Sequence, residues 1–271
     1  MTPRADLFVT GTDTGVGKTL VAAALVAALA ASGRRVVGMK PVAAGLVARG
    51  DAWVSEDAET LMQAASVRAP RALVNPFALR AAVAPAIAAR SEGVRIALAP
   101  IARAFAELRA TSDAVVVEGA GGFRVPLCDD RDAAVDGADL AQTLRLPVVL
   151  VVGMRLGCVN HALLSAEAIA ARGLALAGWV ANRIDPAMAC FEENVATLKS
   201  RLEVPLLGTI PHLGRLHARS SFPRKPESRP SPLEGTPDAD DMISNASAHP
   251  GHDAVARLLD LTTLLEVVTR A

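Results

Sequence analysis

The sequence predicts one α/β domain, a mostly parallel sheet between two layers of helices, and three observations carry that prediction. Short apolar runs rich in Val, Leu and Ile recur without apolar–polar alternation, as expected of parallel strands buried on both faces. Ala-rich segments of helical length separate them, so that strand and helix alternate. Turn chemistry falls at the joints: Gly33 and Gly173 stand where helices should end, and Pro147 and Pro205 directly precede apolar runs. With 271 residues, 51% of them hydrophobic, the chain has material for one core, and the domain is read as spanning residues 1–271.

The elements follow in order. Residues 7–10 form an apolar strand that enters a glycine-rich turn, and the Ala-rich helix at 18–32 closes at Gly33. A strand at 35–39 is followed by a helix at 57–65, which opens after the loop Ser55-Glu56-Asp57. A helix at 96–110 precedes the apolar strand 114–117, which ends in Glu118. A helix at 138–144 leads through Pro147 into a strand at 148–152. The helix at 160–171 stops before Gly173 and a strand at 177–181; the helix at 188–202 leads through Pro205 to a strand at 206–209.

The pattern fails from about 215 to 252, a stretch crowded with Pro, Ser and charge. Its length is roughly three times that at which structureless loops become uncommon in compact domains, so it reads as a disordered insertion. Amphipathic spacing returns at residues 253–268, read as a final helix that packs back on the domain.

Lys plus Arg and Asp plus Glu number 28 each, giving zero formal charge. Nucleic-acid and membrane binders usually show a basic surplus, so neither partner is expected. No uncharged apolar run is long enough to span a bilayer, and the N-terminus reads as a strand rather than a signal peptide. Cys128, Cys158 and Cys190 are widely spaced, without a metal-binding pattern, and are read as reduced thiols of a cytoplasmic protein.

The segment LFVTGTDTGVGKTLVAAALVAALA decides the class. A phosphate chain needs convergent backbone N–H groups, a cation and a metal. A glycine-rich turn between a buried strand and a helix N-terminus supplies the first, and the helix dipole adds a favourable field. The reading is P-loop NTPase-like: residues Gly15, Val16, Gly17, Lys18, Thr19 and Leu20 bind ATP, Lys18 bridges the β- and γ-phosphates and the Thr19 hydroxyl meets Mg²⁺. The standard spacing would need Gly at position 12, where the chain has Thr12; the nearest glycine is Gly11, so this loop is one residue longer. Glu118, at a strand's carboxyl end, and Asp57, at a helix start, are the candidate carboxylate ligands of the metal with Thr19. Gly119, Ala120, Gly121 and Gly122 are read as a second flexible turn, serving either loop closure or donation to an anion.

Six motifs in order extend the reading: Thr10-Gly-Thr-Asp-Thr-Gly-Val-Gly-Lys-Thr19, Met39-Lys-Pro-Val-Ala-Ala-Gly45, Val117-Glu-Gly-Ala-Gly-Gly122, Val152-Gly-Met-Arg-Leu-Gly-Cys-Val-Asn-His161, Gly178-Trp-Val-Ala-Asn182 and Gly208-Thr-Ile-Pro-His-Leu213. Together they resemble the dethiobiotin synthetase family over residues 7 to about 213, and the longer phosphate loop is that family's own form. The resemblance implies an ATP- and Mg²⁺-dependent ligase of biotin biosynthesis. Its substrates would be 7,8-diaminopelargonate, CO2 and ATP; its products would be dethiobiotin, ADP and phosphate. It also implies roles. Lys40, Lys18 and Thr14 would be catalytic, and Thr19, Asp57 and Glu118 would hold the metal. Asn182, with Arg183 beside it, would read adenine above Pro211, His212 and Leu213, while Gly119, Ala120 and Gly121 complete the nucleotide site. Lys40, Ala44 and Gly121 would meet the substrate. Asn160 would reach across a homodimer interface to the substrate carboxylate, or serve as a helix N-cap.

Three departures stand out. Ala44 replaces a frequent hydroxyl residue, Ala82 and Ala86 replace a frequent Pro and His, and the insertion falls where a further nucleotide contact is usual. Two other readings share the phosphate loop. An amidating ligase of the cobyrinic acid diamide synthase type needs a downstream glutaminase Cys, and no cysteine follows Val204. A partitioning-type switch ATPase usually carries an early loop lysine, where this chain has Thr12, Asp13 and Thr14.

Overall fold

The computed structural model describes residues 4–130, 134–214 and 250–270. In chain order its first elements are β1 (Leu7–Gly11), α1 (Lys18–Ala31), β2 (Val36–Met39), β3 (Val42–Ala44), β4 (Val47–Arg49), β5 (Ala52–Val54) and α2 (Glu56–Ala64). There follow α3 (Arg71–Val74), β6 (Phe77–Leu79), α4 (Pro85–Ser91), α5 (Leu98–Ala110), β7 (Ala114–Gly122), β8 (Pro126–Cys128), β9 (Val135–Asp136) and α6 (Gly137–Leu144). The last are β10 (Val148–Gly153), α7 (Cys158–Ala171), β11 (Leu176–Asn182), α8 (Phe191–Arg201), β12 (Leu206–Ile210), α9 (Pro250–Ala256) and α10 (Leu261–Arg270).

The six expected strands form one sheet in the order β12-β11-β10-β1-β7-β2, every pairing parallel. Alternate side chains point to opposite faces. Leu7, Val9, Val116, Val149, Val151 and Val180 meet the Ala- and Val-rich face of α1, with Leu61 of α2 and Val255, Leu259 and Leu264 from the C-terminal segment. On the other face Phe8, Val115 and Val117 pack under α5 and α6, and Leu150, Val152, Trp179 and Ala181 under α7 and α8. Each Val, Leu or Phe among them contributes roughly 1.5–3 kcal/mol when fully buried. The layered core therefore carries the stability, and the loops at the strands' carboxyl ends are free to take the geometry that chemistry requires. β1 lies between β7 and β10, so its outgoing loop opens where connections diverge to both sides, the place where open parallel sheets bind ligands.

Three expectations need correction. Residues 119–122 are not a separate turn: they continue β7. Val9 pairs with Glu118 and Gly11 with Gly122, so the longer strand bulges outward beside the phosphate loop. The last helix is two helices, broken where Asp260 takes over as cap: its N–H donates to Leu207 O at 2.6 Å and its carboxylate accepts from Thr263 N at 2.9 Å. α7 begins at Cys158 with Gly157 as its N-cap, so Asn160 is an exposed residue of the first turn and not the cap. The short strand pairs β3–β6, β4–β5 and β8–β9 and helices α3 and α4 were not expected. The insertion expected at about 215–252 lies, through residue 249, outside the described residues, and the chain is helical again from Pro250. Among the described residues no helix is long and apolar enough to cross a membrane.

Candidate active site

The phosphate loop runs from the end of β1 into α1, whose N-cap, Gly17, has φ 89°. Lys18 is buried, and its Nζ folds back to the Asp13 carbonyl at 2.9 Å. Burial and the neighbouring Lys40 charge lower its pKa to about 8, against the raising influence of Glu118, Asp57 and Asp13. Asp13 also accepts from the Thr14 N–H at 2.7 Å and pairs with Arg155 at 2.5 Å, which ties the loop to the turn after β10.

Three elements bring the chemistry together. β7 delivers Glu118, 1% exposed; β2 delivers Lys40 just past its last residue, 4% exposed; and α2 delivers Asp57 in its first turn. Ser55 caps that helix by accepting from Ala58 N at 3.2 Å, and acids at Glu56, Asp57 and Glu59 suit the positive end of its dipole. The Thr19 hydroxyl lies 2.9 Å from Asp57 Oδ1 and 2.8 Å from Glu118 Oε1. Lys40 Nζ reaches Asp57 Oδ2 at 2.8 Å, Glu118 Oε1 at 2.5 Å and the Gly119 carbonyl at 3.3 Å. All three ammonium donors are thus used.

The electrostatics follow from this packing. Burial alone would push the Lys40 pKa down, but Asp57 and Glu118 outweigh it and hold the pKa above its ordinary value. Burial likewise works to raise Asp57, and the Lys40 charge overcomes it, so Asp57 is lowered. For Glu118 burial wins and the pKa is raised. Its second oxygen, Oε2, is buried without a hydrogen-bond partner among the described residues. Two carboxylates, one hydroxyl and an unpaired buried oxygen form the hard-oxygen donor set that suits Mg²⁺.

A cleft of about 350 Å³ opens over this centre. Thr14, Gly15, Gly17, Lys18, Thr19, Lys40, Asp57, Glu118, Ala120 and Gly121 line its phosphate end; Val42, Ala44, Val47, Ala82 and Pro85 form the opposite, largely apolar wall. Of the residues named from sequence, Val16, Leu20, Gly119, Asn160, Asn182, Arg183, Pro211, His212 and Leu213 are not part of this lining. Asn182 is fully buried behind the loop, its Nδ2 donating to Val16 O at 2.8 Å. His212 Nδ1 lies 3.2 Å from Arg183 O at the end of β12, outside the cleft, as Pro211 and Leu213 also are. Asn160 lies outside it on α7.

Sequence reasoning missed Asn75. It is buried, and its Nδ2 donates to Lys40 O at 2.7 Å while Lys40 N donates to Val74 O at 2.9 Å, so the last residue of α3 and the one after it clamp the Lys40 main chain on both sides. The one available signal was an Asn directly before Pro76 in a loop.

A strand–glycine loop–helix unit, a lysine and hydroxyl at its start and two carboxylates facing it define a nucleoside-triphosphate-using protein of the P-loop class. The AAA domain family matches residues 5–220. The ATP-dependent dethiobiotin synthetase BioD of Ralstonia nicotianae is 56% identical over 81% of this chain and 94% of its own. That of Aromatoleum aromaticum is 56% identical over 78% and 92%. Among solved structures, cobyrinic acid a,c-diamide synthase from Mycobacterium smegmatis is 21% identical over 81% of this chain and 91% of its own, with a TM-score of 0.49. The chain belongs to the ATP-dependent dethiobiotin synthetase family, a family of ATP-dependent ligases, and the partitioning ATPase and amidating ligase readings fall away.

Asn75→Ala is expected to cost about 1–2 kcal/mol in urea unfolding. It should also lower kcat about ten-fold with the KM for ATP unchanged, because Lys18 and Thr19 do not depend on it. An unaltered kcat would mean that Val74 alone fixes Lys40.

Proposed function

We propose that this chain converts 7,8-diaminopelargonate, CO2 and ATP to dethiobiotin, ADP and phosphate in the cytoplasm. The observation that carries the reading is the buried Lys40 ammonium, held by Asp57 and Glu118 where the phosphate end of the cleft meets its apolar wall. One substrate amine adds to CO2, forming a carbamate and releasing a proton. A carbamate oxygen takes the γ-phosphoryl group of ATP, giving a carbamic–phosphoric anhydride and ADP. The second amine then attacks the carbonyl carbon, phosphate leaves, and the ureido ring closes with loss of another proton.

Carbamate and phosphate are both anions, so the chain must supply positive charge between them. Lys18 would serve the phosphate side and Lys40 the carbamate side, where a carbamate oxygen would replace the long 3.3 Å contact of Lys40 Nζ with the Gly119 carbonyl; Thr14 and the backbone at Gly121 would stand beside the reacting groups. Thr19, Asp57 and Glu118 would hold Mg²⁺, which when bound neutralises phosphate charge. The walls at Val42, Ala44 and Ala82 would exclude water along the substrate's alkyl chain; with alanine at 44 and 82, shape rather than hydroxyl contacts would position it there. Asn182, Arg183, Pro211, His212 and Leu213 lie together at the ends of β11 and β12, the side on which adenine would be read.

A homodimer is part of the reading. Leu156, 96% exposed, and Leu164, 55% exposed, flank Asn160 along the start of α7. A second copy covering this face would bury them and carry Asn160 to the partner's substrate tail.

The test is phosphate release from Mg-ATP and bicarbonate with and without 7,8-diaminopelargonate, on material sized by sedimentation. Release that needs the diamine, from a sedimenting dimer, is expected. Release indifferent to the diamine would overturn the substrate, and a fully active monomer would overturn the shared site.

A further inference from the structure

Asn182 ends β11, 166 residues away in sequence from the phosphate loop, yet its side chain is built into that loop. Its own main chain is fixed: Asn182 pairs with Gly153 of β10 and Ile210 of β12, and its carbonyl accepts from Met154 N at 2.8 Å. From this rigid base the amide Nδ2 donates to Val16 O at 2.8 Å, with no exposed surface.

The loop is shaped to receive it. A Cβ at Gly17 would lie 2.3 Å from Asn182 Nδ2, and the same residue has φ 89°, so glycine there meets both a steric and a conformational demand. The Val16 side chain, 1% exposed, fills space that a Cβ on Gly11 or on Gly153 would enter at 2.5 Å. The peptide joining Val16 to Gly17 is thereby held from the sheet side, directly before the N–H groups of Lys18 and Thr19 that would face the phosphates.

We propose that Asn182 is a positioning residue of the phosphate loop: its buried amide fixes the array of backbone donors, and so acts on phosphate binding whether or not a base is present. This rests on the reading of the cleft as a nucleotide site only in that the loop receives phosphates. A residue that served adenine alone would have no reason to be buried against Val16.

The experiment uses the full chain and Asn182→Ala, with Gly17→Ala as a second variant that displaces the amide from the opposite side. Hydrogen exchange is read first without ligand. Amides of residues 12–19 should exchange about ten-fold faster or more in both variants, as for loss of one buried hydrogen bond, with β10 and β11 unchanged. Binding of ATP and of inorganic tripolyphosphate, which has no base, is then measured calorimetrically with Mg²⁺. Asn182→Ala should weaken both by a similar factor of about ten. Unchanged exchange in the loop, or weakened ATP with tripolyphosphate spared, would overturn the proposal. Should the parent chain bind neither ligand, the nucleotide reading fails, while the exchange result still decides the role of Asn182 in shaping the loop.

Discussion

Lys40→Ala is expected to lower diamine-dependent phosphate release by about two to three orders of magnitude, the cost of removing one group that stabilises developing negative charge in a water-poor site. The geometry sets this size. Lys40 is 4% exposed, so no water replaces its charge cheaply, and its three donors are fixed by Asp57, Glu118 and Gly119 before any substrate arrives. The loss should fall on kcat rather than on ATP affinity, because Lys18 and Thr19 belong to a different element. The variant also leaves Glu118 buried beside Asp57 without its counter-charge, and breaking a buried pair costs about 3–5 kcal/mol. Activity must therefore be compared well below the variant's own unfolding temperature. A folded Lys40→Ala protein that retains diamine-dependent turnover would remove Lys40 from the chemistry.

Glu118→Gln should have the second largest effect, about a hundred-fold lower turnover with a Mg²⁺ requirement raised by about an order of magnitude. The substitution keeps the shape of the side chain and removes the charge that would face the cation. Stability should change little. The variant loses the pair with Lys40, but it no longer has to bury a carboxylate whose pKa burial already raises, and Asp57 and the Gly119 carbonyl still hold the ammonium. The two observables separate the roles: a fall in turnover without a fall in melting temperature is chemistry, whereas a parallel fall in both is architecture. A Mg²⁺ activation curve identical to that of the parent chain would show that Glu118 holds no metal.

The apolar strands and Ala-rich helices were legible because each obeys a rule read within its own segment, and the strands were found to within two residues at either end, the bulged extension of β7 apart. Glu118 and Asp57 were legible for the same reason: one ends an apolar run and the other starts a helix. Lys40 was harder. Its position alone reads as an exposed charge at a strand end, and only the two carboxylates brought beside it explain its burial. The three-residue strands β3, β4, β5, β6 and β8 were invisible, being too short to show any period. They nonetheless shape the ground beside the cleft, with β3 and β4 contributing Val42, Ala44 and Val47 to its apolar wall. The break between α9 and α10 was hidden because Asp260 is held by Leu207 of β12, a partner that amphipathic spacing cannot reveal.

The sequence by itself determined the class of fold, the phosphate loop with Lys18 and Thr19, and the membership of Asp57 and Glu118 in one site, since these depend on local pattern and on chemistry with few solutions. The tertiary structure alone decided that Lys40 is a fully paired buried cation, that Asn75 clamps its main chain, and that Asn182 is joined to the loop at Val16. Each of these is a contact between segments far apart in the chain. Its energy comes from burial and from donors meeting acceptors in three dimensions, quantities that no single segment carries.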